Sequence, residues 1–153
     1  VATLLLGLGA ALCLGGCGYA VSAGLRLKGG VAGAEVRPFE NRSSDPGVGV
    51  EVAAALREEL ARRGAAGAGA VLDGEVRTEG AGATLQGGGT VRVLLEATAR
   101  LTRDGQVLAE RTVRREADHL SGADGLEGEA RRAQALHRLA GEVARALVDA
   151  FEE

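Results

Sequence analysis

The first residues of this sequence able to do chemistry are Leu14-Gly15-Gly16-Cys17, which close an apolar run over residues 1–14 and are followed by Gly18-Tyr19. A thiol behind two small residues is the pattern of a lipobox. Gly15 and Gly16 leave the backbone open to a peptidase, and the Cys17 sulfur is placed to receive a diacylglyceryl group, after which Cys17 becomes the mature N-terminus. The run is shorter than the ~20 apolar residues that cross a bilayer, so residues 1–16 read as a secretion signal and not as a membrane span. Each buried methylene of an acyl chain contributes about 0.8 kcal/mol, so several chains hold a protein permanently on a membrane surface. Signals of this kind open with basic residues, and none stands ahead of the run. The expectation is either a segment missing before Val1 or an alternative start there.

Other reactive side chains are weaker signals. His119, Ser121 and Asp124 have the residue types of a nucleophilic triad, but no G-x-S-x-G turn surrounds the serine. An esterase-like use of Ser121 is therefore the least favoured reading, and no catalytic residue is expected. The same stretch, with Glu127 and Glu129, lacks the register of a calcium loop and reads as helix-entry chemistry, carboxylates at the positive end of a helix dipole. His137 has no second His or Cys at ligand spacing, so no metal site is expected. Residues 80–89 are rich in Gly but have no Lys-Ser or Lys-Thr partner for a phosphate. Arg77, Arg92 and Arg100 alternate outward on neighbouring predicted strands. They form either a modest cationic strip or solvated partners of Glu75, Glu79 and Glu96.

The elements that must position these groups follow from periodicity. The chain has 153 residues and a net charge of −3, with its arginines scattered and not clustered, which argues against a nucleic-acid surface. Cys13 falls in the leader and Cys17 is used by lipid, so no disulfide framework and no cofactor beyond that lipid are expected. Residues 17–33 read as the lipidated N-terminus and a Gly/Ala-rich tether, partly ordered. Residues 34–153 read as a single domain. Within it, residues 34–39 form a first strand, anchored by Val36 and Phe39 and pushed towards an edge by Pro38. After a turn, Ser44 or Asp45 is placed to cap a helix with Pro46 in its first turn. Val48, Val52, Leu56 and Leu60 make its apolar stripe, and Gly64 ends it. Period two then returns around Leu72, Gly74 and Val76, and again at Val91, Val93, Leu95, Ala97, Ala99 and Leu101. Asp104-Gly105 predicts a tight hairpin into residues 107–117. A long helix over residues 125–151 presents Leu126, Ala130, Ala133, Leu136, Ala140, Val143, Leu147 and Phe151 on one face. The order β-α-β-β-β-α predicts an α+β two-layer sandwich, with two helices on one face of a four-stranded, mostly antiparallel sheet.

In that order, the residues resemble the LptE family, the lipopolysaccharide-assembly lipoproteins of the Gram-negative outer membrane. The match comprises the lipobox with Cys17-Gly18-Tyr19, the strand end Val36-Arg37-Pro38-Phe39-Glu40-Asn41, the first helix, the strand Leu72-Asp73-Gly74-Glu75-Val76, the meander and the long last helix. The resemblance implies an outer-membrane lipoprotein facing the periplasm, which plugs an LptD-type barrel, assists its assembly and binds lipopolysaccharide. Arg77, Arg92 and Arg100 would then be candidate contacts to its phosphorylated sugars. Relatives carry a basic residue in the loop joining the second and third strands, whereas residues 83–89 here offer Gln86 and no basic side chain. A second reading is an outer-membrane lipoprotein activator of a peptidoglycan synthase, which shares the Pro38-Phe39-Glu40-Asn41 pattern. Mass spectrometry of protein extracted from membranes should find Cys17 as an acylated N-terminal residue; an unmodified Cys17 in the mature chain would contradict the lipobox.

Overall fold

The computed structural model describes residues 24–82 and 89–153. The leader, Cys17 and the loop residues 83–88, with Gln86, lie outside the described residues. The elements are β1 (Ala34–Val36), β2 (Glu40–Asn41), α1 (Val48–Arg62), β3 (Ala70–Gly82), β4 (Thr90–Arg103), β5 (Gln106–Leu120) and α2 (Gly125–Phe151).

The long strands form the expected meander, and Asp104 (φ 51°) with Gly105 (φ 78°) makes the two-residue turn between β4 and β5. Positive φ at both central residues matches the twist of the strands they join. The sheet has five strands, in the order β1-β3-β4-β5 with β2 also on β3, where four were expected. The difference lies at Arg37-Pro38-Phe39, which splits the predicted first strand. Pro38 has no N–H to give to a ladder, and the register shifts across it, from Val36 opposite Leu72 to Glu40 opposite Glu75. Both short strands run parallel to β3, so α1 is the crossover between them.

That break places Phe39 over a gap in β3. Its ring is 4% exposed, and a Cβ on Gly74 would stand 2.8 Å from the ring and 2.0 Å from the Thr98 carbonyl oxygen. Gly49, in the first turn of α1, is needed for a similar reason: its Cβ would meet the Phe39 carbonyl oxygen at 2.5 Å. These two glycines let the helix, the broken strand and β3 close on one another.

The N-terminus of α1 departs from the expected cap. Gly47, at φ 81°, takes the cap position with no side-chain hydrogen bond, and Ser44, Asp45 and Pro46 lie before it. Asp45 is drawn away by a distant partner described below. At the other end Gly64 (φ 72°) does end the helix, with Gly64 N–H donating to Ala61 at 3.1 Å and Ala65 N–H to Leu60 at 2.8 Å. This is the paired reversal that satisfies otherwise orphan carbonyls.

Both helices pack on one face of the sheet. Val36, Leu72, Val76, Leu95, Ala97, Ala99, Leu101 and Val113 share one core with Val52, Leu56 and Leu60 of α1 and Leu139, Val143, Leu147 and Phe151 of α2. Small side chains at Ala97 and Ala99 on the sheet, and at Ala140 and Ala144 on α2, bring helix and sheet close together. Contacts from Asp45 to Arg132, Glu51 to His137 and Arg63 to Asp149 show that the helices run parallel. The stripe predicted for α2 is correct from Leu136 onward and fails before it: Leu126 is 80% exposed, and Ala130 and Ala133 are also exposed. Since α1 begins beside Arg132, the first turns of α2 have no helix beside them.

Residues of the segment read as a tether also enter the core. Leu27 and Val31 are buried, with Lys28 N–H donating to the Phe151 carbonyl and Glu153 N–H to that of Arg26. The start of the described chain is thereby fastened to the end of α2.

Gly74→Ala should destabilise the protein by about 2 kcal/mol in urea unfolding, because its new methyl group overlaps backbone and ring. Gly141→Ala, on α2 where a Cβ meets nothing within 4 Å, should stabilise it by up to about 1 kcal/mol through helix propensity.

Candidate functional site

The face of the sheet away from the helices is a lattice of charge. Register puts Asp73 opposite Arg100, Arg100 opposite Glu110, Arg77 opposite Glu96, Glu96 opposite Arg114, and Arg92 opposite Asp118. Strands that bury one face only must alternate apolar and polar residues, and this alternation produces the array. At its centre the Thr98 and Thr112 hydroxyls meet at 2.9 Å.

Arg77, Arg92 and Arg100 do share this face, and each has a carboxylate partner. Arg92 Nε bonds Asp118 Oδ1 at 2.8 Å, Arg100 Nε bonds Glu110 Oε2 at 3.0 Å, and Arg77 reaches Glu75 Oε1 at 3.4 Å. Glu75 also takes Arg42 at 2.9 Å, and Arg114 lies 3.7 Å from Glu79. The hydrogen bond from Arg92 holds the Asp118 carboxyl below its ordinary value, and Asp118 in turn raises the Arg92 guanidinium. On this face Asp73, Glu75, Glu79, Glu96, Glu110, Glu116 and Asp118 outnumber the guanidiniums of Arg77, Arg92, Arg100 and Arg114, so it is mixed in sign and not a cationic strip. All these pairs are exposed to water, where ion pairs hold weakly and exchange readily.

The triad residue types are not assembled. Ser121 Oγ accepts from Gly89 N–H at 2.9 Å, Asp124 Oδ1 caps α2 by accepting from Glu127 N–H at 2.9 Å, and His119 Nδ1 lies 3.1 Å from the Leu120 carbonyl oxygen. No nucleophile-to-base hydrogen bond joins them. Helix-entry chemistry accounts for the acidic residues: Glu127 accepts from Ala123 N–H at 2.7 Å, and that bond, followed by Arg131, lowers its pKa. His137 is exposed and meets Glu51 at 3.2 Å across the helix pair.

One partly buried polar cluster was missed by sequence reasoning. Asp45 accepts two hydrogen bonds from Arg132, Nε to Oδ1 at 2.7 Å and Nη2 to Oδ2 at 2.8 Å, and a third from the Thr78 hydroxyl. The clasp joins the loop before α1, the strand β3 and the start of α2. Beside it, Ser44, Pro46, Val48, Glu51, Glu129, Ala133 and Leu136 line a cleft of about 600 Å³. Arg132 lies across Gly80, where a Cβ would stand 3.0 Å from its Nη1. The partners are too distant in sequence for local spacing to join them; only the overlong α2 hinted that its first turns needed another attachment.

Residues 32–151 match the family model of LptE, lipopolysaccharide assembly. The chain belongs to the LptE family. It is thus a protein of the lipopolysaccharide-assembly kind, and the family is not one of enzymes. Among curated proteins, none matches the chain by sequence. Among solved structures, the minor lipoprotein of Acinetobacter baumannii is similar with a TM-score of 0.56 at 14% identity, over 79% of this chain and 91% of that one. A Caulobacter crescentus structure is similar at 0.54 and 16%, over 74% and 87%. The PelC dodecamer of Paraburkholderia phytofirmans is similar at 0.51 and 16%, over 83% and 91%. At such identities the likeness is one of fold alone.

Asp45→Asn should cost about 2 kcal/mol, the loss of charged hydrogen bonds in a partly buried pair. Because Arg132 depresses the folded-state pKa of Asp45, the clasp stabilises fully above the unfolded value, about 3.9. Its contribution fades as the pH falls through the lower folded value. Urea unfolding of both proteins should therefore give stabilities that differ at neutral pH and converge in strong acid.

Proposed function

We propose that this LptE-family protein is an outer-membrane lipoprotein, held by lipid on Cys17, that plugs an LptD-type barrel and assists its assembly. The observation that carries the reading is the uncovered sheet face. Strands of 13 to 15 residues present it, and among the described residues no helix packs against it. Its charges suit the polar interior of a large barrel better than an apolar groove or a reactive cleft.

The edges of the sheet support docking by face. Beside β1, Ala34 exchanges hydrogen bonds with Ala65 and Gly67, and Arg57 donates to the Val36 carbonyl at 3.0 Å. On β5, Arg111 and Arg115 fold back onto the carbonyls of Glu110 and Arg114 at 2.8 and 2.9 Å. Side chains that occupy edge carbonyls discourage the addition of a further strand.

Lipopolysaccharide enters the proposal as cargo, with Arg77, Arg92 and Arg100 as candidate contacts. A phosphate has to displace Glu75, Asp118 or Glu110 from them, and the exposure of those pairs makes the exchange feasible. Affinity purification of the lipidated protein should recover a large outer-membrane barrel together with lipopolysaccharide, and Arg92→Ala with Arg100→Ala should lower the lipopolysaccharide recovered while the barrel stays. Recovery of a penicillin-binding synthase in place of the barrel would contradict the plug and support an activator of peptidoglycan synthesis.

A further inference from the structure

Two cations of one turn, Arg26 and Lys28, and a third from the end of β4, Arg103, lie at the end of the domain where the chain arrives from Cys17. Arg26 Nη1 donates to the Gly30 carbonyl at 3.4 Å, and Arg103 Nη1, from the end of β4, donates to the Gly29 carbonyl at 3.3 Å. Lys28, the single lysine of the sequence, opens the same turn two residues after Arg26. The turn is held firmly: Leu27 and Val31 exchange backbone hydrogen bonds at 2.8 and 3.1 Å, and Lys28 N–H reaches the Phe151 carbonyl at 2.8 Å. Positive φ at Gly29 (74°) and Gly30 (68°) makes the reversal possible.

Unlike the cations of the sheet face, these three make no ion pair among the described residues. Asp104 and Glu153 lie on the same pole and do not pair with them, while Asp149 and Glu152 are engaged by Arg63. Val107, beside the β4–β5 turn, is 55% exposed and adds an apolar contact to the same end.

We propose that this pole, centred on Arg26, Lys28 and Arg103, rests on anionic phospholipid headgroups of the leaflet that holds the lipid on Cys17. The inference rests on the reading of Cys17 as the lipidated residue. Seven residue steps separate Cys17 from Gly24, at most about 25 Å at ~3.5 Å per residue, so the anchor keeps the pole within reach of the headgroups. Basic residues that rest on an anionic leaflet each strengthen association by about fivefold. The consequence is an orientation. β4 has 14 residues and rises about 45 Å, so its Thr90 end stands away from that leaflet.

Lys28 itself supplies the readout. Full-length lipidated protein is reconstituted on vesicles of phosphatidylcholine, alone or mixed with phosphatidylglycerol, and a water-soluble amine-reactive ester is followed on the peptide carrying Lys28. Labelling should be slowed about fivefold on the anionic vesicles, and the effect should vanish in high salt and in the Arg26→Glu, Arg103→Glu variant. Equal rates on both vesicles, for protein that floats with both, would overturn the proposal. Failure to float with neutral vesicles would instead contradict lipidation of Cys17, and the pole is then read from whether anionic vesicles alone slow the labelling.

Discussion

One-sided burial is the constraint on which the rest of this molecule depends. A meander of long strands that alternates apolar and polar residues, Leu94 apart, has one main apolar face, and two parallel helices cover it. Fully burying a side chain such as Leu72, Leu95 or Leu101 contributes about 1.5–3 kcal/mol, so the helices cannot leave that face without losing most of the stability of the fold. Most charge is therefore sent to the opposite face, to the outsides of the helices or to the ends; Arg111, on the helix side of β5, reaches the Ala150 carbonyl instead. The ion-pair lattice, the clasp around Asp45 and the basic turn at Lys28 are where those charges settle.

Small residues make this arrangement close-packed. Phe39 needs Gly74 beneath it, α1 needs Gly49 to approach the Phe39 carbonyl, and α2 lies on the sheet through alanines. The scarcity of aromatics is thus compensated by short distances between elements, since dispersion grows with the number of atoms in contact. The buried carboxylate of Glu59 shows the same economy: it is 3% exposed and held by Arg62 and Arg63. Arg63 continues to Asp149 at 2.6 Å and ties the ends of the two helices together.

What was legible in the sequence is what local period and turn chemistry encode. The alternation from Val91 to Leu101, the Asp104-Gly105 hairpin, the stripe of α1 and its Gly64 stop all appear where the residues put them. Apart from the local break at Pro38, the failures come from contacts that sequence spacing does not announce. Asp45 looked like a cap because Ser-Asp-Pro precedes a helix, but Arg132 and Thr78 satisfy it better. Leu126, Ala130 and Ala133 continue a stripe whose partner helix stops short of them. Leu27 and Val31 have no period to announce them and enter the core by pairing with each other and with the end of α2. For the candidate site, outward placement of Arg77, Arg92 and Arg100 was readable, whereas Asp118 and Glu110 as their partners required the register of β4 with β5.

A body of this shape offers a partner one broad surface, since its apolar face is filled and its edge groups are engaged. The central claim is that this uncovered, charged face is what meets the barrel. Its most direct test is a thiol-accessibility measurement with Thr98→Cys at the centre of the face and Glu142→Cys on the outside of α2. Each is labelled in the purified protein and again in the membrane-embedded assembly. The account predicts strong protection of the position 98 thiol in the assembly while the position 142 thiol labels as before. Protection confined to position 142, with position 98 as reactive as in the free protein, would contradict it.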